Sequence, residues 1–212
     1  MVLNTRLSVI GNCSELSGMT EKTVGPRGPR AGDARLEQLA RSMGSVHIAR
    51  IREMPRIELY LDQLLTLVSQ ELEFMAVPGE TLVTGSMVNN YVKQGVIPAP
   101  RKKRYTRRHV ASLLFVCALK RVFSISQVRS LASLVWGSGL DLEELYDRSC
   151  AALEAALARR FSPEAPAPAL ELVNEAGEPA GPELAWLLQA AMEALADKVA
   201  VEQTLLLGEG EA

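Results

Sequence analysis

The chain has 212 residues, 48% of them hydrophobic, which suffices for one good core and a second small one. Its three cysteines, Cys13, Cys117 and Cys150, lie far apart without a close Cys or His, so we expect a reducing compartment, no metal site and no cofactor. No apolar run approaches the roughly 18 residues of a membrane span, which predicts a cytoplasmic protein without a membrane partner.

Charge is distributed unevenly along the chain. The formal net charge is only −2, but residues 81–140 contain 10 Lys or Arg and no Asp or Glu, whereas residues 141–212 contain 4 basic and 15 acidic residues. A segment this basic, without any carboxylate, indicates a polyanionic partner.

The N-terminal quarter has little hydrophobic pattern. Residues 1–54 are rich in Gly, Ser and Arg, include the sequence GPRGPRAG, and show one short helical pattern that ends at Met43. We therefore predict that residues 1–54 form a mostly disordered leader.

Two helices should follow at the start of a domain over residues 55–136. Apolar residues at three-to-four spacing predict a helix over 56–74. A short helix over 86–94 is predicted next, with Thr84 or Ser86 as its N-cap and Gly95 in the left-handed position at its end.

A basic loop separates these helices from the next two. Residues 98–105 should be extended because of Pro98 and Pro100, as a projecting loop or a small β-wing. Thr106 can cap a third helix to about residue 122, and Ser124 with Gln127 forms a capping box for a fourth.

The C-terminal third reads as two helices joined by a linker. The pattern predicts a connecting or dimerisation helix over residues 139–161 and an amphipathic helix over residues 183–207. Between them, the composition of residues 162–182, rich in Pro, Ala and Glu, indicates a linker. The apolar surface of the last helix is so broad that it needs a partner, from this chain or another subunit.

The candidate DNA contacts lie on the short helix and in the basic loop. Asn can bond bidentately to adenine in the major groove, and clustered cations suit phosphates. The candidates on the helix are Ser86, Asn89, Asn90 and Lys93. Those from the loop are Arg101, Lys102, Lys103, Arg104, Tyr105, Arg107 and Arg108.

Each candidate also has a structural interpretation. Asn89 and Asn90 could be surface residues of a helix, and Tyr105 could anchor the loop by packing instead of stacking on a base. His109 could touch a phosphate or be a partly exposed histidine without a catalytic role.

Two stretches of sequence resemble known families. The string NNYVKQGVIPAPRKKRYTRRHVASLLFVCALKRVFSISQVRSL resembles the MerR-type winged helix pattern, with an aromatic residue, a Gly-Val, then Pro, Arg and Tyr, and a Phe-Ser-Ile before the next helix. PRIELYLDQLL together with TGSMVNNYVKQGVI resembles the bacterial domain of unknown function number 1836, over about residues 55–135.

These resemblances imply an all-α fold, a MerR-like winged helix-turn-helix followed by C-terminal helices. They imply that Asn89, Asn90 and Lys93 lie in a recognition helix and that Arg101 to Tyr105 form the wing. The helix after the wing would lead toward dimerisation.

We therefore expect a transcriptional regulator that binds double-stranded DNA, as a homodimer through its C-terminal helices. The sequence indicates no particular small-molecule effector. An alternative is a protein-interaction adaptor whose acidic C-terminal region masks the domain over residues 55–136, which we call the basic module. RNA binding is a third option, although no aromatic sheet surface or Gly-rich clamp is evident. An enzyme is not expected, because the chain has only two His, no phosphate-binding Gly loop and no nucleophile elbow.

Overall fold

A computed structural model of the chain describes residues 33–166, 168–174, 178–179 and 181–209. Within these ranges it contains helices and three isolated two-residue β-bridges but no strand, which confirms the predicted all-α class. The helices are α1 (Ala34–Gly44), α2 (Leu61–Glu71), α3 (Gly85–Lys93), α4 (Arg107–Leu119), α5 (Ile125–Gly137), α6 (Leu142–Phe161) and α7 (Pro182–Glu209), with a single 3₁₀ turn at Glu73–Met75.

The two long C-terminal helices pack against each other. α6 and α7 form the most extensive helix–helix contact, and α1 lies against both of them. The face of α6 that contains Cys150, Leu153 and Leu157 is buried within the chain, as are Leu188 and Leu195 of α7. The apolar surface predicted for α7 therefore finds a partner in cis along this face.

α4 joins the N-terminal and C-terminal halves of the core. It contacts α2 on one side and α6 and α7 on the other, and nine of its thirteen residues are buried. All the buried apolar side chains of α4, including Leu113 and Leu119, belong to one continuous hydrophobic cluster. The basic module is thus not a unit with a core separate from that of the C-terminal helices.

The second half of the predicted disordered leader is ordered in the structure and packs against the core. Residues 33–54 contain α1 and four buried side chains, Met43, Ile48, Ile51 and Met54. The backbone N–H of Ile48 donates to the carboxylate of Glu154, and that of Ile51 donates to Asp147. Acidic residues of α6 therefore hold this segment against the core. Residues 1–32 of the leader lie outside the described residues.

α2 is shorter than the sequence predicts. The predicted helix over 56–74 begins only at Leu61, because the backbone of Leu59 pairs with Tyr105 instead of entering the helix. Ile57, which belongs to the predicted apolar face, is 70% exposed. The chain before α2 is used to hold the basic loop.

Both ends of α3 and the starts of α4 and α5 agree with their predicted signals, whereas α4 ends at Leu119, before the predicted end near residue 122. The Thr84 side chain accepts a hydrogen bond from the N–H of Met87 at the start of α3, and Gly95 has a φ of +67° just after its end. Ser124 and Gln127 form the predicted capping box of α5.

The described parts of the Pro-rich linker pack onto the C-terminal helices. Leu170 and Leu172 are buried, and the N–H of Leu170 donates to the side-chain oxygen of Gln189. Among the helices that the structure describes, none is both long and apolar enough to cross a membrane.

Candidate nucleic-acid interface

α3 has one polar and one apolar face, as its sequence predicts. Ser86, Asn89, Asn90 and Lys93 recur at three-to-four spacing and are all exposed, whereas Val88 and Tyr91 on the other face are buried. Within the part of the chain that the structure describes, the only side-chain hydrogen bond of these four residues is local, from the amide of Gln94 to Asn90 Oδ1 at 3.1 Å. The other polar groups of this face are therefore available to a ligand in solvent.

The chain from Arg101 to Arg104 forms a tight hairpin, which we call the basic hairpin. Arg101 and Arg104 make an antiparallel bridge, with the N–H of Arg104 donating to the carbonyl of Arg101 at 2.9 Å. Lys102 and Lys103 between them have φ values of +50° and +58°. Two left-handed residues in succession are typical of a two-residue type I′ turn, in which Asn-Gly is usual.

The turn of the basic hairpin is costly for lysine. A left-handed conformation costs an L-residue with a Cβ about 1–2 kcal/mol. Lys102 and Lys103 are exposed, and their side chains form no hydrogen bond or ion pair with the described residues that would offset this cost. Residues held in such conformations cluster at functional sites.

The base of the basic hairpin is anchored in the core. Tyr105 exchanges two backbone hydrogen bonds with Leu59, at 2.8 and 2.9 Å, and is only 4% exposed. Its ring packs edge-on against His109 with a centroid distance of 5.7 Å, and burial raises the pKa of its phenol. Tyr105 is one of the predicted DNA contacts, but in the structure it anchors the basic hairpin and its ring is not accessible to DNA.

His109 is bonded through both ring nitrogens. Nδ1 accepts a hydrogen bond from the backbone N–H of Thr106 at 3.0 Å, which leaves Nε2 to donate to the carbonyl of Ala99 at 3.3 Å. The residue is 9% exposed and occupies the third position of α4, where it completes a capping box with Thr106. His109 therefore ties the loop before the basic hairpin to the helix after it.

Arg104 is held over an aromatic ring that the sequence analysis did not single out. Its guanidinium carbon lies 3.6 Å from the centroid of Tyr60, and its Nη2 donates to the Tyr60 hydroxyl at 2.5 Å. Tyr60 directly precedes α2 and is next to Leu59, the backbone partner of Tyr105. Leu59 is buried and Tyr60 is exposed, but the helical pattern of the sequence around them does not indicate that either residue contacts the basic hairpin.

Arg107 and Arg108 differ from the cations of the basic hairpin. Arg107 donates to the backbone carbonyl of Ile51 at 3.5 Å, and Arg108 lies 3.9 Å from the carboxylate of Glu143 at the start of α6. The six predicted cations are therefore divided between the basic hairpin and the first turn of α4, where both arginines have partners within the chain.

The acidic C-terminal third does not pair with the basic hairpin among the described residues. Its ion pairs are formed mostly with cations of α6 and α7 or with Arg50, and only two reach the basic segment, Glu143 with Arg108 and Glu202 with Arg121. The tip of the basic hairpin is consequently open to a polyanion in this conformation.

The remaining reactive residues do not form a site. Within the described ranges, no group of three or more His, Cys, Asp or Glu could hold a metal ion. Cys117 and Cys150 are buried, and burial raises the pKa of each thiol to about 12, so neither is a thiolate at neutral pH.

Comparison with known proteins gives one match. Residues 49–149, just under half of the chain, match the family model described as Domain of unknown function (DUF1836). This match supports the resemblance seen in the sequence, and it spans α2 to α5, the basic hairpin and the start of α6. No curated protein and no solved structure matches the chain.

Proposed function

We propose, starting from the match of residues 49–149 to an uncharacterised family, that this chain is a transcriptional regulator that binds double-stranded DNA through a MerR-like winged helix-turn-helix. α3 would be the recognition helix and the basic hairpin the wing. The observation that carries the proposal is the basic hairpin itself, whose exposed tip carries lysines in a conformation that glycine would adopt more easily.

Electrostatics supports duplex DNA as the partner. The basic hairpin belongs to a segment of 60 residues without a carboxylate, and no carboxylate of the described residues pairs with Arg101, Lys102 or Lys103. Lysine and arginine that contact phosphates release condensed counterions, which provides most of the affinity for nucleic acids. Such contacts set position and orientation but do not read sequence.

Sequence would be read by α3. Its four exposed polar residues include two adjacent asparagines, and the side chain of Asn89 makes no hydrogen bond within the described structure. A bidentate bond from asparagine to adenine contributes about 1–3 kcal/mol of discrimination against other bases. An exposed asparagine pair on a capped, nine-residue helix suits this role.

Homodimerisation belongs to the same proposal. One face of α7 is covered by α6 and α1, but Trp186, Val201 and Leu205 on its other sides are 59–70% exposed. A second copy of the chain that covers these residues would place two DNA-binding modules on one duplex. Sedimentation of the full chain would show a dimer that Trp186→Glu weakens, and a monomer at all concentrations would remove this part of the proposal. A cytoplasmic location follows from the proposed partner.

The test uses the full chain, because α6 and α7 supply much of the core that covers α4. Fluorescence anisotropy would measure binding to random-sequence duplex DNA over a series of salt concentrations. We expect affinity to weaken steeply with salt. In an Arg101→Gln, Lys102→Gln, Lys103→Gln variant the salt slope should be smaller by about 0.9 for each phosphate that is no longer neutralised.

A matched variant removes the same charge elsewhere. Arg41→Gln, Arg159→Gln and Lys198→Gln take three surface cations from the C-terminal helices and α1, each paired with a nearby glutamate. This variant should keep the slope of the parent chain. An equal reduction of the salt slope in both variants would mean that binding depends only on net charge. If the parent chain does not bind DNA at low salt, the adaptor alternative is favoured.

Base reading is tested separately. Selection of binding sites from a random pool should yield a preferred sequence for the parent chain. Asn89→Ala or Asn90→Ala should reduce the preference for adenine at one position while leaving the salt slope unchanged. A preference unaffected by either substitution would exclude α3 as the reading element.

A further inference from the structure

An apolar cavity lies between α4, α5 and α6, beside the first turn of α4. Its volume is about 70 Å³, and it is partly open to solvent. Its walls include Ala111 and Phe115 of α4, Ala132 and Trp136 of α5, and Tyr146 of α6. Clefts with apolar walls and a few polar groups are typical of small-molecule sites.

The walls of the cavity are rich in aromatic side chains. The whole chain has only ten Phe, Tyr and Trp residues, and three of them, Phe115, Trp136 and Tyr146, line this cavity. Trp136 is 45% exposed near the end of α5, whereas Tyr146 is fixed by a hydrogen bond from its hydroxyl to the carbonyl of Ala49 at 3.1 Å. Aromatic walls of this kind favour a ligand with a flat apolar ring.

One cation and one anion stand at the cavity. Arg108 and Glu143 are the only charged residues among the described residues that line the cavity. The 3.9 Å between Arg108 Nε and the Glu143 carboxylate is too long for a hydrogen bond. The hydroxyl of Ser112, also on the α4 wall, donates to the carbonyl of Arg108 at 2.8 Å. The donors of Arg108 therefore remain available to a second carboxylate.

The surroundings favour an anion over a cation at this position. Arg108 follows Arg107 in the first turn of α4, where the helix dipole adds partial positive charge. Neither α4 nor α5 carries a carboxylate, because residues 81–140 contain none. Among the lining residues, Glu143 alone opposes this positive field.

We propose that this cavity binds a small aromatic monocarboxylate, with the ring among Phe115, Trp136 and Tyr146 and the carboxylate on the guanidinium of Arg108. Arg108 presents a planar fork of donors that matches a carboxylate bidentately. The ligand would replace the loose contact to Glu143 with close hydrogen bonds. Ligand binding at this site does not depend on DNA binding, so it is tested independently of the proposed function.

Three probes of the same shape test the charge preference. Phenylpropionate, phenylpropanol and phenylpropylammonium share a ring and chain but end in an anion, a neutral hydroxyl and a cation. The full chain with Trp186→Phe retains Trp136 as its single tryptophan, and Trp186 is 70% exposed, so the core is unaffected. The fluorescence of Trp136 then reports binding. We expect phenylpropionate to bind about five- to tenfold more tightly than phenylpropanol, and phenylpropylammonium to bind most weakly.

Substitutions then assign the preference to Arg108. Arg108→Gln should remove the advantage of the carboxylate probe, whereas Arg107→Gln, which does not line the cavity, should retain it. Glu143→Gln should strengthen binding of phenylpropionate, because it removes a competing negative charge. Ala132→Leu, checked for folding by circular dichroism, should weaken all three probes by filling the cavity.

Several results would overturn the proposal. Equal affinity for phenylpropionate and phenylpropanol would remove the anion site, as would a carboxylate preference that survives Arg108→Gln. Tightest binding of phenylpropylammonium, abolished in Glu143→Gln, would make this a cation site. Absence of binding by all three probes would remove the ligand site altogether.

Discussion

Arg104 lies over the ring of Tyr60, with its guanidinium carbon 3.6 Å from the ring centroid, and its Nη2 donates to the Tyr60 hydroxyl. This pair joins the basic hairpin to the residue that precedes α2, 44 positions earlier in the chain. It positions one cation of the basic hairpin while the adjacent lysines stay free in solvent.

The energy of this pair can be measured with a double-mutant cycle. Tyr60→Leu and Arg104→Met each remove one partner, and their coupling should be about 0.5–1 kcal/mol, because Tyr60 is 51% exposed. Urea denaturation of the four proteins provides the value. Tyr60→Leu combined with Arg101→Met should show no coupling, and equal coupling in both cycles would contradict the contact.

In the turn of the basic hairpin, substitutions that raise the stability of the fold should lower the affinity for DNA. Replacing Lys102 by Asn and Lys103 by Gly places the preferred residues at two positions of positive φ, so the free energy of unfolding should rise by about 1 kcal/mol. Binding to duplex DNA should weaken at the same time, because two cations are removed.

A control separates the two effects. Lys102→Gln with Lys103→Gln removes the same charges but keeps side chains that disfavour the left-handed region, so DNA affinity should fall without a gain in stability. Thermal unfolding and anisotropy on the same samples measure both quantities. A destabilised Asn-Gly variant would contradict the turn described here.

The helices of the basic module could be predicted because their signals are local. Thr84 and Gly95 delimit α3, and Ser124 with Gln127 begins α5, each through bonds to residues within a few positions. The two faces of α3 follow from the same periodicity, so the exposure of Asn89 and Asn90 was predictable as well.

The contacts that hold the basic hairpin could not be predicted in the same way. Leu59 and Tyr105 are 46 residues apart, and nothing in the helical pattern around Leu59 indicates that its backbone pairs with another segment. The same holds for residues 33–54, which are polar on average but place Ile48 and Ile51 in the core, with their backbone N–H groups bonded to carboxylates of α6. Long-range pairing depends on tertiary packing, which short sequence windows do not contain.

Glu154 should be the residue of α6 on which the N-terminal segment most depends. Its carboxylate accepts hydrogen bonds from the N–H of Ile48 at 2.7 Å and from both terminal nitrogens of Arg50, at 2.7 and 2.6 Å. The hydrogen bond from Arg50 to Glu154 raises the pKa of Arg50 despite partial burial. Glu154→Ala should reduce the free energy of unfolding by about 2 kcal/mol, because it leaves a part-buried cation and a backbone N–H without their acceptor.

The matched control is on the same helix. Glu144→Ala removes a half-buried carboxylate that pairs with Arg148 one turn later, and it should cost only about 0.5 kcal/mol. Both substitutions replace Glu by Ala within α6, so the change in helix propensity is the same in the two variants. Urea denaturation of both variants provides the comparison, and equal costs would show that residues 33–54 do not rely on Glu154.

Glu202 should make stability depend on pH in the acidic range. Burial alone would raise the pKa of this carboxyl, but hydrogen bonds from Lys198 and Arg121 outweigh burial and lower its pKa below the usual range. A group whose pKa is depressed on folding stabilises the protein above its unfolded pKa, and this contribution disappears as the pH falls through the folded pKa. Arg121 is 9% exposed and also pairs with Glu80 at 3.2 Å, so α7 is tied here to the end of α4.

The measurement compares the chain with Glu202→Gln over a pH series. At neutral pH the variant should be less stable, since Arg121 loses a charged acceptor and its Nε already lacks a partner. The difference should shrink as the pH falls from the pKa of an unfolded glutamate, about 4.3, through the lowered pKa of the folded carboxyl. Glu164→Gln, at an exposed glutamate in the linker, should differ little from the parent at every pH. A difference between parent and Glu202→Gln that stays constant down to low pH would show that the ion pair with Arg121 does not stabilise the fold.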